Sequence, residues 1–470
     1  MPASSDNAYK YRIAFGAWIN DMRSTPLPLE DWPAPILDDE TVAGITRALD
    51  VQSAAGFTHL DVWGLFATFG WPTDIVSALT DERRRRIAQV LQAARDRGVT
   101  LSYGMGVYSW GYDKIIEADP EVRGVQADGS PHPHAMCGAS PKSFEYVKRI
   151  LDFILGEFDF QSIHLESCDL GCCQCPECAG KAGMVDYNCR LNERTADYIK
   201  SQWPDKTVYV ITISWIPIFT HYSQAELDRV VELGNHVDCI FDQGHTGYQV
   251  GPDDREGFLS RLKCAYGTSG ARWLYPDARW DRGSYFVPFP RFAAETIRRE
   301  FDEGVRGSMF YQGPMANPGV EVNVAVGGRM LANPLRDGAE VLDEVLDLYY
   351  KPANDHARKL LASIFLRGEE AYFGQWSNER FMTDWGRPWP GEFHLSQLFG
   401  TEPGAAHFLM EGFLDAAGRK AYKAGLVSIL EDLPKLAGQC DDDGRLEKIQ
   451  RGAIMTLNLI NTICVLKGES

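Results

Sequence analysis

The sequence predicts an α/β fold, a (β/α)8 TIM barrel with a C-terminal all-helical region, and three observations carry that prediction. Eight short β-rich runs alternate with amphipathic helical periods between residues 10 and 332. Helix-to-strand connections are short, at 55–58, 97–100 and 203–206, whereas strand-to-helix connections are long and rich in Trp, Pro and Gly, at 20–40, 64–80, 109–142, 169–187, 243–253 and 278–290. In a barrel the long ones share one face, where such folds place binding and catalysis. After residue 332 the β signals cease, which divides the chain into a catalytic barrel, 1–332, and a helical domain, 333–470.

Taken in order, the predicted strands are 12–18, 59–63, 100–108, 162–167, 207–215, 236–242, 272–277 and 307–312. Each is apolar or alternating and rich in β-branched and aromatic residues. Helices are predicted at 41–55, 81–97, 143–158, 188–203, 224–233, 254–266 and 291–303, the second from the spacing of Ile87, Val90, Leu91 and Ala94. The run of charge at 82–86 is the solvated face of that helix. Helical periods at 338–350, 353–372, 404–437 and 445–465 form the C-terminal region, interrupted by a Trp- and Pro-bearing segment at 381–391.

At 470 residues the chain is long enough for one large core plus an appended region. Its 65 acidic against 47 basic residues, a net charge of -18, argue against nucleic acid or an anionic membrane as a partner. No apolar run reads as a membrane span. The N-terminus lacks the basic start and apolar core of a secretory signal, so a cytoplasmic location is expected.

In the fourth strand, alternation puts Ser162, His164 and Glu166 on one face. Glu166, Asp242 and Asp277 stand at or just past the ends of strands four, six and seven. Three such acids at one barrel mouth supply what glycoside hydrolysis needs: a carboxylic acid to protonate the leaving oxygen and a carboxylate to activate water or attack the sugar. Glu166 is the candidate acid, because Glu is a poor helix cap and is rarely buried without a partner. A single Asp in such a place is as often a cap or a loop tie, and Asp61, inward on strand two, is open to the same structural reading. Trp18, Trp63, Tyr108, Trp110, Trp215, Tyr275 and Trp280 crowd the same face, suited to stacking on sugar rings, with His164, His245 and Arg279 as polar contacts.

Eleven cysteines, an odd number, are unevenly spread. Cys172, Cys175, Cys178 and Cys189 are the candidate ligands of a structural zinc, with a disulfide and unligated thiols left open. No cofactor is expected for catalysis. His132 and His134 sit in the loop after strand three and read as substrate contacts or plain surface, so metal chemistry ranks behind hydrolysis.

The segment Leu165-Glu166-Ser167-Cys168-Asp169 with the loop ending Cys175-Pro176-Glu177-Cys178, followed by Asn192-Glu193-Arg194-Thr195 and Trp203-Pro204-Asp205-Lys206, resembles DUF4838-type proteins. These are related to the α-glucuronidases of glycoside hydrolase family 67 and, more distantly, to β-hexosaminidase-like barrels. Asn333-Pro334 and Asp347 to Pro352 resemble the opening of the helical C-terminal domain in that group. The resemblance implies an inverting mechanism with Glu166 as acid and Asp242 and Asp277 as the base pair, although the second member in the family is a Glu. Leu165-Glu166 stands where the hexosaminidases carry an adjacent Asp-Glu pair, which argues against an N-acetylhexosamine substrate.

The resulting expectation is a glycoside hydrolase acting on a small oligosaccharide or glycoside, with uronic acids a candidate component. A carbohydrate is the expected partner, and self-association stays open. A non-catalytic carbohydrate-binding barrel and a metal-dependent sugar-acid lyase or isomerase are the alternatives.

Overall fold

In a computed structural model, residues 8–18, 37–66, 70–167, 171–179, 183–212, 215–216, 220–242, 249–269, 285–311, 317–373, 414–442 and 444–469 are described. Eight parallel strands close a barrel. They are β1 (Tyr11–Trp18), β2 (His59–Trp63), β3 (Thr100–Gly106), β6 (Ser162–Glu166), β7 (Thr207–Ile211), β8 (Cys239–Asp242), β9 (Ala265–Ser269) and β10 (Gly307–Tyr311), with β1 pairing both β2 and β10. A two-stranded antiparallel arm, β4 (Arg123–Val125) and β5 (Pro131–Met136), is inserted after β3.

Both faces of each barrel strand are buried, as a parallel sheet wrapped by helices requires. One set of side chains fills the lumen: Tyr11, Ile13, Phe15, Trp63, Tyr209, Ile211, Cys239, Phe241 and Met309. The opposite set, including Leu60, Val62, Leu101, Ile163, Leu165, Val208, Val210, Ile240 and Phe310, packs against the helices. Local chemistry starts those helices. Asp38 accepts the Thr41 N–H at the head of the helix Asp39–Ala55, and Gly56, at φ 91°, ends it. Ser223 and Glu226 form a capping box on the helix Gln224–Leu233.

The seventh strand departs from the sequence reading. It occupies Ala265–Ser269, overlapping the last two residues predicted as helix and the connection after them, and the helix before it is only Arg255–Arg261. The predicted strand 272–277 lies outside the described residues. The weak β signal of β9 has a steric cause. A Cβ at Gly267 would lie 2.5 Å from the Phe241 ring and 3.0 Å from the Gly307 carbonyl oxygen, so a large neighbour in the lumen demands a residue with no side chain.

The helix Pro318–Ala332 completes the eighth β/α unit, and the helices Gly338–Tyr350, Asp355–Phe373, Ala416–Asp432 and Arg445–Leu466 follow. The last is long and apolar enough to cross a membrane by length and composition, with hydropathy 1.3, contrary to the sequence reading. Its Ile449, Ala453, Leu459, Ile460 and Ile463 are nevertheless buried, and Thr456 Oγ1 accepts the Phe286 N–H. One face of the helix packs against the neighbouring helices, and the other, with Ile454, Met455 and Val465, is exposed.

At the barrel floor the His59 ring lies against Tyr11 and Tyr209, with Nδ1 2.7 Å from Thr58 Oγ1. Burial, and then the nearby Arg12 charge, push its pKa down from 6.5 to about 4. The folded chain therefore binds this proton less readily than the unfolded chain. The stability it holds above pH 6.5 is expected to fall by about 2 kcal/mol, discounted for partial exposure, as the pH drops toward 4. Urea titrations at several pH values should show a shallower acid loss in His59→Gln than in the parent, and identical pH dependence would contradict the assignment.

Candidate active site

The mouth is built from strand ends whose register is fixed by pairing: Gly106 sits opposite Glu166, and Glu166 opposite Ile211. Glu166 shares the inward parity of Ser162 and His164 on β6 and is 8% exposed, placing its carboxyl group at the top of the lumen. Below it, His164 Nδ1 lies 2.8 Å from Asp61 Oδ2, and both side chains are fully buried. Burial raises the Asp61 pKa, and His164 opposes that rise by charge and hydrogen bond. Phe15, Trp63 and Tyr209 enclose the imidazole, with ring centroids 5.9, 5.6 and 5.9 Å away. His164 Nε2 has no hydrogen-bond partner among the described residues.

Two glycines make room for the aromatic part of the mouth. A Cβ at Gly104 would lie 1.8 Å from the Trp63 indole nitrogen, so the Trp63 ring lies across the β3 backbone. A Cβ at Gly106 would meet the Ser109 carbonyl oxygen at 2.0 Å and Trp110 Cβ at 2.7 Å. The chain therefore folds back over the end of β3, next to Glu166, and the Val107 N–H donates to the Glu166 carbonyl at 2.7 Å. Within this turn Tyr108 and Trp110 take φ 67° and 68°. Non-glycine residues rarely adopt that region, and such strain collects at functional sites. Trp110, half-buried, meets Trp63 edge to face at 6.0 Å.

Three residues expected at the mouth are elsewhere. Asp242 shares the outward parity of Ile240. Its Oδ2 accepts the Gln249 N–H at 2.9 Å and the Tyr266 hydroxyl, so it ties the strand end to the surrounding layer and does not face the lumen. Trp215 is buried in the outer layer, where its indole N–H donates to Ser167 Oγ at 3.1 Å. The Tyr108 phenol is buried under Arg194, whose guanidinium donates to it and, at 3.0 Å, to the Gly138 carbonyl. The side chain of Trp18 and residues His245, Tyr275, Asp277, Arg279 and Trp280 lie outside the described residues. Asp242→Asn is accordingly expected to lower the thermal midpoint while leaving turnover within about tenfold of the parent. Loss of turnover with the midpoint unchanged would return Asp242 to catalysis.

The cysteine arrangement also differs from the spacing argument. Cys137, Cys173, Cys175 and Cys178 form one group, whereas Cys172 and Cys189 stand outside it. Cys189, nearly two turns into the helix Gly183–Gln202, is fully buried against the core, and Cys137 arrives from the arm after β3. The histidine pair lies on strand β5. His132 Nδ1 accepts the N–H groups of His134 and Ala135, which commits it to the backbone, and His134 bonds Asp113. Sequence reasoning missed Cys137 and Arg194, and of the adjacent loop cysteines it chose Cys172 as a ligand over Cys173. A cysteine directly after an alternating hairpin was the available signal for the first.

The fold and the inward acid define a (β/α)8 barrel with an acidic, aromatic mouth. No family model matches the sequence, and no curated protein does. Among solved structures, the chain is similar to a GH138 enzyme targeting pectin rhamnogalacturonan II, at TM-score 0.60 and 10% identity, over 97% of this chain and 71% of that one. It is also similar to a mutant O-GlcNAc hydrolase of Thermobaculum terrenum, at TM-score 0.51 and 10% identity, over 98% of this chain and 85% of that one. These neighbours are glycoside hydrolases, and at such identity the likeness is one of fold.

Proposed function

We propose that this protein is a glycoside hydrolase in which Glu166 is the general acid. The observation that carries the reading is an inward Glu at the mouth of a closed barrel, beside the Trp63–Trp110 pair. The carboxyl proton of Glu166 passes to the glycosidic oxygen as the bond from the anomeric carbon to that oxygen breaks. A water oxygen forms the new bond to that carbon, and a second carboxylate takes the water's proton. With Asp242 turned outward, Asp277, eight residues past the end of β9 in sequence, is the remaining candidate of the three acids for that carboxylate. Trp110, and Trp63 beneath it, offer an apolar face to a sugar ring. The fold likeness to glycoside hydrolases, one of them targeting pectin rhamnogalacturonan II, and the resemblance of the cysteine loop to DUF4838-type relatives of the α-glucuronidases both favour a carbohydrate substrate, with uronic acids the first class to try.

A screen of aryl glycosides and uronic-acid oligosaccharides against the parent and Glu166→Gln tests this. Release of a reducing sugar by the parent, and its loss in the variant, is the expected result. The outward turn of Asp242 favours one competing reading, a barrel that binds carbohydrate without cleaving it. Saturable sugar binding with no product at any substrate in the screen would favour that reading.

A further inference from the structure

We propose that Cys137, Cys173, Cys175 and Cys178 form a structural tetrathiolate zinc site that fastens the β4–β5 arm to the loop after β6. The inference stands apart from the hydrolase reading. The four Sγ atoms all lie within 4.8 Å of one another. Two edges of the group are resolved individually: Cys137 to Cys175 at 3.9 Å and Cys137 to Cys178 at 3.7 Å. A tetrahedron with zinc–sulfur bonds of about 2.3 Å has sulfur–sulfur edges of about 3.8 Å. A disulfide brings two sulfurs to about 2.05 Å and leaves other thiols no reason to gather. Here one cysteine stands at nearly equal distances from two others, which suits a shared central cation.

The surroundings fit thiolates. The Val125 N–H points at Cys173 Sγ at 3.4 Å, and the Ala139 N–H at Cys178 Sγ at 3.3 Å, so backbone donors face sulfurs that would carry charge. The Cys178 N–H closes a turn on the Cys175 carbonyl at 3.0 Å, which brings the Cys-Pro-Glu-Cys pair to one side of the group. Cys173 and Cys178 are buried, and Cys137 and Cys175 half-buried. With four sulfur ligands and no histidine or carboxylate in the group, the site is closed to substrate. Four thiols release their protons to solvent as the metal binds.

The placement explains what the metal would do. The Cys137 N–H donates to the Val122 carbonyl, the Gln174 N–H to the Val125 carbonyl and the Met136 N–H to the Tyr108 carbonyl, each at 2.7 Å. The group thus closes a circuit from the loop after β6, through the arm, to the strained turn that carries Trp110 beside Glu166. It holds the rim of the mouth and takes no part in bond cleavage.

Elemental analysis of the full chain, purified without added metal or chelator, is expected to give about one zinc per chain. Cys137→Ser and Cys173→Ser should each lower that to near zero, whereas Cys172→Ser and Cys189→Ser should leave it near one. Should the first two variants not fold, cobalt-substituted parent protein supplies an independent readout: thiolate-to-cobalt charge transfer with the bands of a tetrahedral ion. Zinc retained by Cys137→Ser but lost by Cys172→Ser, a disulfide among the four found by mass spectrometry, or metal-free parent that takes up no cobalt would each overturn the proposal.

Discussion

Glu166→Gln is expected to lower turnover of a glycoside with a poor leaving group by on the order of 10³-fold, with little change in the thermal midpoint. Gln keeps the shape and most hydrogen bonds of the acid but has no proton to give, so the loss falls on the chemical step. An interaction made only in the transition state lowers kcat and kcat/KM together, and that pattern is expected here. A variant that raised KM alone would mark Glu166 as a binding group. The parity of β6 makes the prediction specific: Leu165 and Ser167 face the surrounding layer, so neither replaces Glu166 at the mouth.

Asp61→Ala is expected to destabilise the fold by about 3–5 kcal/mol, the largest stability effect of any substitution considered. The carboxyl group is fully buried, 2.8 Å from His164, and its removal leaves a buried imidazole without its partner. Replacing both residues by apolar ones of similar volume, as in Asp61→Leu with His164→Phe, should recover most of that loss. Chemical denaturation across the four-variant cycle would read a coupling of a few kcal/mol between the two sites. Additive losses would show that the pair is not energetically linked. Because His164 lies two residues below Glu166 on the same strand face, a variant of the pair that still folds should also show a misplaced acid, as a fall in kcat.

The barrel was legible in the sequence because its evidence is repeated. Asymmetric loop lengths and an abrupt end to the β pattern survive an error at any single element. Strand β9 was hidden because Phe241 fills the lumen beside it and forces Gly267, leaving a run, Ala265 to Ser269, with little β character. A stronger β-like segment a few residues later drew the assignment instead. The facing of Asp242 was hidden for a related reason. Val237, Cys239 and Phe241 alternate with Ile240, and a strand buried on both faces gives hydrophobic alternation nothing to choose between. On β6 the polar residues are confined to one parity, so Glu166 and His164 could be placed inward.

The cysteine group shows a different limit. Spacing along the chain favoured Cys172 and Cys189 as partners of Cys175 and Cys178, since all four lie within one loop and the start of its helix. The fold instead brings Cys137 across from a hairpin in the preceding β/α loop, a contact set by the adjacency of β3 and β6 in the barrel. Local spacing carries no information about that adjacency. The aromatic residues divided in the same way: Trp63 and Trp110 meet at the mouth, while Tyr108 and Trp215 brace the layer behind it.

The central claim is that Glu166 supplies the proton to the departing oxygen, and the leaving-group dependence of hydrolysis tests it most directly. With a series of aryl glycosides of falling leaving-group pKa, the parent should show a shallow dependence, because protonation assists every member. Glu166→Gln should show a steep one, approaching the parent's rate only with the most acidic phenols. Parallel slopes for the two proteins, whatever their absolute rates, would contradict the assignment of Glu166 as the acid.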